Sequence, residues 1–114
     1  VSELQGIARF TFHEGKVEEY KRLAKKSMEV VRAKDTGTLQ YEIYFNEDES
    51  ECIVLERYRD SEALVEHMAN LGELGEAMLA TATVAGELLG EPSAELTKNL
   101  AGSPVRLFTP FLSL

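Results

Sequence analysis

Between Cys52 and Tyr58 apolar residues fall on both parities, Cys52 and Val54 against Ile53 and Leu55. Successive side chains of a strand point to opposite faces, so such a strand is covered on both and lies inside a sheet. The preceding segment, Thr38 to Asn46, alternates: Leu39, Tyr41, Ile43 and Phe45 share one face, and Gln40, Glu42 and Tyr44 the other. The polar run Asn46-Glu47-Asp48-Glu49-Ser50-Glu51 joins the two segments at hairpin length. It lacks the spaced ligands and the glycine of a calcium loop, so it reads as a solvated turn. An interior strand needs neighbours on both sides and cover on both faces, and the rest of the chain supplies candidates.

Leu4 to His13 predicts a first strand, with Leu4, Gly6, Ala8, Phe10 and Phe12 on one face and Gln5, Ile7, Arg9, Thr11 and His13 on the other. Lys16 to Asp35 predicts a helix through Val17, Tyr20, Leu23, Ala24, Met28 and Val31, stopped by Thr36-Gly37. Its early Glu18 and Glu19 and late Lys25, Lys26, Arg32 and Lys34 suit the helix dipole. Asp60 or Ser61 caps a second helix. The stripe Leu64, Met68, Leu71, Leu74, Met78, Ala82, Ala85 and Leu89 predicts that this helix runs on to Gly90, bent or broken near Gly72 and Gly75. Ser93 to Leu100 predicts a short third helix, and Val105 to Leu112 a last strand, placed at an edge by Pro110.

The order β-α-β-β-α-β predicts an α+β, ferredoxin-like antiparallel sheet with both helices on one face, in a single domain over residues 1–114. The open face would carry Ile7, Phe108 and Leu112. The simplest cover for a half-apolar sheet face is a second copy, so a homodimer with sheets packed face to face is expected.

A chain of 114 residues suffices for one sizeable core. Its net charge of −8 repels phosphate backbones, which argues against nucleic acid as a partner. There is no basic amphipathic helix and no apolar run near the roughly 20 residues of a membrane span, so no membrane partner is expected. The single cysteine, Cys52, lies among apolar strand residues, which fits a buried thiol and a cytoplasmic setting.

Few residues offer chemistry. His67 lies on or beside the apolar stripe of the second helix, one turn from Ala63, Leu64 and Leu71. It has two readings: a general base with a near-neutral pKa, or a core histidine satisfied by a backbone carbonyl. Tyr41, Tyr44 and Tyr58 are either substrate-orienting hydroxyls at a pocket edge or core aromatics. Glu56 reads as structural, with ligand orientation as its alternative. No dinucleotide fingerprint, P-loop or nucleophile elbow is present, and His13, His67 and Cys52 lie on three different elements. No metal site and no cofactor are therefore expected.

Four segments together resemble the antibiotic biosynthesis monooxygenase (ABM) domains of the dimeric α/β-barrel superfamily. They are His13-Glu14-Gly15-Lys16, Gly37-Thr38-Leu39-Gln40-Tyr41-Glu42-Ile43-Tyr44, Val54-Leu55-Glu56-Arg57-Tyr58 and Ser61-Glu62-Ala63-Leu64-Val65-Glu66-His67. They resemble, in turn, the family's Pro-Gly-Lys turn, its G-x-x-x-Y-E segment, its V-x-E-x-W strand end and its S-x-x-A-x-x-x-H helix start. The resemblance spans roughly residues 4–90. It implies the same fold and a cofactor-independent monooxygenase acting on a small electron-rich aromatic or quinol-like molecule. It further implies a pocket between the sheet and the two helices, with His67 as base and Tyr41 and Tyr58 as orienting groups. Tyr58 stands where many members have Trp, and Asn70-Leu71-Gly72 follows where many have a second histidine. The second helix has no later histidine to ligate haem, so haem degradation is not expected. Two other readings remain open: a non-catalytic binding or stress-response protein on the same scaffold, and a structural dimer that recruits a partner through its acidic surface.

Overall fold

The computed structural model describes residues 3–114. Its elements run β1 (Leu4–Phe12), α1 (Val17–Lys34), β2 (Thr38–Phe45), β3 (Glu51–Tyr58), α2 (Ser61–Leu79), β4 (Ala82–Leu89), α3 (Ala94–Leu100) and β5 (Val105–Phe108). The strands form one sheet in the order β2-β3-β1-β4-β5. All pairs are antiparallel except β4 with β5. The first four strands and two helices give the predicted ferredoxin-like arrangement, and β3 lies inside the sheet as its double-sided apolar pattern requires.

Two expectations fail together. The second helix does not reach Gly90; it stops at Leu79, and residues Ala82–Leu89 form β4. Thr81 ends the helix by turning its hydroxyl onto the Met78 carbonyl at 2.7 Å. The following residues satisfy the backbone groups on the second edge of β1, which would otherwise stay unpaired in mid-sheet. Val105–Phe108 is therefore not the fourth strand of the fold but a short fifth, laid parallel to β4 by α3 as its crossover. It is an edge strand, as Pro110 implied, and it ends before that residue.

One face of the sheet meets the helices. Tyr41, Glu56, Gly6 and Leu88 form one row across it, and Ile43, Val54, Ala8 and Gly86 the next. Helix α1 buries Tyr20, Leu23, Ser27 and Val31, spaced three or four residues apart. The core has two parts. Phe10, Tyr20, Leu23, Cys52, Val54 and Met78 fill one end, where the Tyr20 ring lies 5.1 Å from Phe10 and 4.9 Å from Phe12. Leu4, Tyr58, Ala63, Leu64, Leu88 and Leu96 fill the other. Full burial of each such aliphatic or aromatic side chain stabilises the fold by about 1.5–3 kcal/mol.

Three local details bear on the face that meets the helices. Leu39 does not point inward with Tyr41: the β2–β3 register shifts between Thr38 and Gln40, and Leu39 is left 49 % exposed. The loop after α1 passes so close to α2 that a Cβ at Gly37 would stand 2.5 Å from that of Ala63. Helix α2, capped by Asp60 through the Ala63 N–H, breaks at Gly72, whose φ of 47° and ψ of −124° are not helical. No helix among the described residues is long and apolar enough to cross a membrane.

Candidate active site

A cavity of about 670 Å³ lies between the sheet and α2. It exists because the side chains beneath it are small or absent. The floor beneath it is Gly6 and Ala8 on β1 and Gly86 on β4, and Gly72 and Gly75 on α2 line it from above. Leu100, Pro104 and Val105 close the far side, so α3 and β5 help to wall it. Helix α1 contributes no lining residue, which corrects the expectation of a pocket enclosed by both long helices.

His67, Tyr41 and Tyr58 all line this cavity. Both tyrosine rings lie 5.2 Å from the imidazole, centroid to centroid. Helical spacing carries His67 inward from α2, and strand parity carries the tyrosines inward from β2 and β3. Tyr44 faces away; its exposed hydroxyl donates to Glu42 at 2.8 Å.

His67 is not held by a backbone carbonyl. Its Nδ1 lies 2.7 Å from Oδ2 of Asp35, the residue that closes α1. The same oxygen accepts from the Thr38 hydroxyl at 2.7 Å, and Oδ1 accepts from Asn70 Nδ2 at 2.8 Å. The Asp35 and His67 side chains are 1 % and 5 % exposed. Burial works against charge on Asp35, but the hydrogen bonds from Asn70, Thr38 and His67 outweigh it and hold its carboxyl below the usual range. An ionised Asp35 makes Nδ1 the protonated nitrogen and leaves Nε2 as the lone-pair end.

Nε2 points toward a second carboxyl. Glu56 Oε1 lies 3.8 Å from it and accepts a short hydrogen bond from the Tyr58 hydroxyl. Burial raises the Glu56 carboxyl above its ordinary range, and the Tyr58 bond and the electrostatic influence of the His67 imidazole only partly oppose this. Tyr58 is pushed up by burial and then by Glu56, and burial takes Tyr41 to about 12. Ser27 spends its own proton on the Ala24 carbonyl at 2.8 Å, so the Tyr41 hydroxyl donates to Ser27 at 3.2 Å. Both tyrosines are therefore neutral and anchored.

Periodicity and motif do not single out Asp35, note Asn70 only where a second histidine is missing, and leave Glu56 with a structural role. For Glu56 a signal is nevertheless present: its parity matches Cys52, Val54 and Tyr58, so a carboxylate is due on the buried face. Among the described residues no lysine or arginine lines the cavity. Among the described residues no group of three or more His, Cys, Asp or Glu side chains is placed to hold a metal ion.

A ferredoxin-like α+β domain with an apolar cavity over its sheet, one buried His–Asp pair and a facing carboxyl defines a class of small-molecule domain. The chain belongs to the antibiotic biosynthesis monooxygenase family, whose sequence profile matches residues 6–82. Among solved structures, MupZ from Pseudomonas fluorescens is 25 % identical, covering 98 % of this chain and 88 % of MupZ, with a TM-score of 0.82. Rv0793 from Mycobacterium tuberculosis is also 25 % identical, covering 80 % of this chain and 96 % of Rv0793, with a TM-score of 0.69. SnoaB from Streptomyces nogalater, described as a cofactor-independent oxygenase, shares the fold at 20 % identity and a TM-score of 0.65, over 75 % of this chain and 89 % of SnoaB. A search of curated proteins returned no match.

Proposed function

We propose that this protein is a cofactor-independent monooxygenase acting on a small, electron-rich aromatic or quinol-like molecule. The observation that carries the reading is the His67–Asp35 pair, with Nε2 free beside an apolar cavity of about 670 Å³. Membership of the monooxygenase family supports it, as does the fold shared with SnoaB. His67 removes the proton of a phenolic or enolic hydroxyl, and the resulting anion is electron-rich enough to reduce dioxygen directly. Tyr41 and Tyr58 flank the imidazole and orient the substrate ring. Among the described residues the lining has carboxyls, Glu56, Glu76 and Glu87, but no lysine or arginine, which favours a neutral substrate over a carboxylate or phosphate.

The working unit proposed is a homodimer in which the open sheet faces pack together, in the cytoplasm, where the buried Cys52 thiol stays reduced. Ile7, Ile53, Leu55 and Ala85 lie on the sheet face away from the helices and supply its apolar centre. The cavity beside His67 favours this reading over a filled, non-catalytic scaffold.

The test is oxygen uptake with hydroquinone and anthrone panels. The wild-type protein is expected to exceed buffer, and His67→Ala to lose about 10²–10⁴-fold of the rate. Wild-type uptake no greater than buffer across the panels counts against the proposal.

A further inference from the structure

Two carboxyl groups flank His67, and their surroundings differ. Asp35 accepts from three donors, those of Thr38, His67 and Asn70. Among the described residues Glu56 accepts from Tyr58 alone. Asp35 is sealed at 1 % side-chain exposure, whereas Glu56 keeps 19 % and lines the cavity. Gly6 stands opposite Glu56 across the β1–β3 ladder; a Cβ there would come within 3.9 Å of the Glu56 carboxyl carbon, and its absence leaves the carboxyl open to a ligand.

We propose that Glu56 is the proton donor of the site: a neutral carboxylic acid that delivers its proton to an oxygen of the bound molecule, as the acid partner of the His67 base. This rests on the function proposed above and adds a residue and a step to it. The groups facing Glu56 are Tyr58 on its own strand, Tyr41 on β2, His67 on α2 and, behind the histidine, Asp35. Three of these four are acids, and the fourth is already bound to Asp35. Among the described residues no lysine or arginine lines the cavity to hold a carboxylate at this position. Burial favours the protonated form in the same direction. A pair of titratable groups with opposed environments on one site is the arrangement that divides acid from base roles.

The step balances with dioxygen as co-substrate. His67 Nε2 takes the hydroxyl proton of the substrate. The anion gives one electron to dioxygen, and the radical pair joins in a new C–O bond, forming a peroxide anion. Glu56 gives its proton to the terminal peroxide oxygen. The O–O bond then breaks as the C–H bond at the same carbon yields its electron pair to form a carbonyl, and its proton returns to Glu56. The departing hydroxide takes the proton held on His67 and leaves as water. One dioxygen supplies one carbonyl oxygen and one water, and both side chains end as they began.

The experiment has two arms on the chain of residues 1–114. Infrared difference spectra of wild type against Glu56→Gln at neutral pH are expected to show a protonated-carboxyl band in the wild type only. Anthraquinone, a neutral ketone that does not react further, is expected to shift that band by accepting the proton in a hydrogen bond. A missing band, or one that anthraquinone does not move, overturns the proposal whether or not the protein turns anything over. In the second arm, anthrone is the substrate. Glu56→Gln is expected to keep consuming oxygen while product per oxygen falls at least tenfold and peroxide accumulates, with partial recovery in Glu56→Asp. Unchanged product per oxygen in a folded Glu56→Gln overturns the role of Glu56. Absent wild-type oxygen uptake sinks the oxygenase reading instead and leaves the infrared arm to decide on Glu56.

Discussion

Asp35 closes α1 with the wrong sign of charge. The carboxyl end of a helix carries partial negative charge, where Lys or Arg is favoured, and Arg32 and Lys34 precede Asp35 there. Three hydrogen bonds explain the exception. Asp35→Asn replaces a charged acceptor by an amide and is expected to cost about 1.5–3 kcal/mol at neutral pH, read by urea unfolding. The sign with pH comes from the depressed carboxyl. Its stabilisation is present above the ordinary aspartate value of 3.8 and is lost as pH falls through the lower folded value. The gap between wild type and variant is therefore expected to narrow as pH drops below that value. Tyr20 makes the opposite case. Its buried hydroxyl has no conventional hydrogen-bond partner and sits beside the Cys52 thiol, so Tyr20→Phe is expected to be neutral or to raise stability by up to about 1 kcal/mol in the same assay. His67, Tyr41 and Tyr58 could be placed from periodicity because each lies on a regular element. Asp35 could not, because nothing local ties a helix-ending residue to a histidine on another helix. Its misfit with the helix dipole was the one available clue.

At the scale of elements, most of the fold was legible because β1, β3 and α1 each hold one period from end to end and β2 does so from Gln40 onward. The segment after Met78 was not. Ala82, Ala85 and Leu89 happen to continue the helical stripe of α2, while Ala82, Val84, Gly86 and Leu88 also alternate as a strand facing the helices. Local pattern could not choose between them; the unpaired edge of β1 did. The cavity was equally hidden, since it is defined by the lack of side chains at Gly6 and Gly86 and the small one at Ala8. Gly6→Val restores bulk on a strand that tolerates it and is expected to change stability by less than about 1 kcal/mol while covering Glu56. Anthrone binding, read by fluorescence, is expected to weaken at least tenfold in that variant. Gly72→Ala acts on the backbone instead: with φ at 47° inside α2, a side chain there is expected to cost about 1–3 kcal/mol, measured by thermal unfolding.

For the whole molecule, the decisive surface is the sheet face opposite the helices. There Ile7, Arg9, Ile53, Leu55 and Ala85 mix with Glu51, to which Arg9 is bound at 3.6 Å. The wild type is expected to scatter light as a dimer at micromolar concentration, and Leu55→Glu, which puts a charge at the centre of this face without touching the cavity, is expected to give a monomer. A wild-type monomer would remove the dimer from the proposal and leave the pocket chemistry standing.

The strand order β2-β3-β1-β4-β5 also sets a timetable for synthesis. β1 leaves the ribosome before the other described strands yet occupies the middle of the sheet, pairing with Glu51–Tyr58 on one edge and Ala82–Leu89 on the other. Until residue 89 emerges, a strand bearing Phe10 and Phe12 has at most half its ladder filled. Such long-range closure slows folding and prolongs the exposure of sticky edges. Yield on expression should therefore track how quickly β4 is delivered: slowing translation just upstream of its codons is expected to increase aggregation, and a permuted chain that makes β4 before β1 is expected to reduce it.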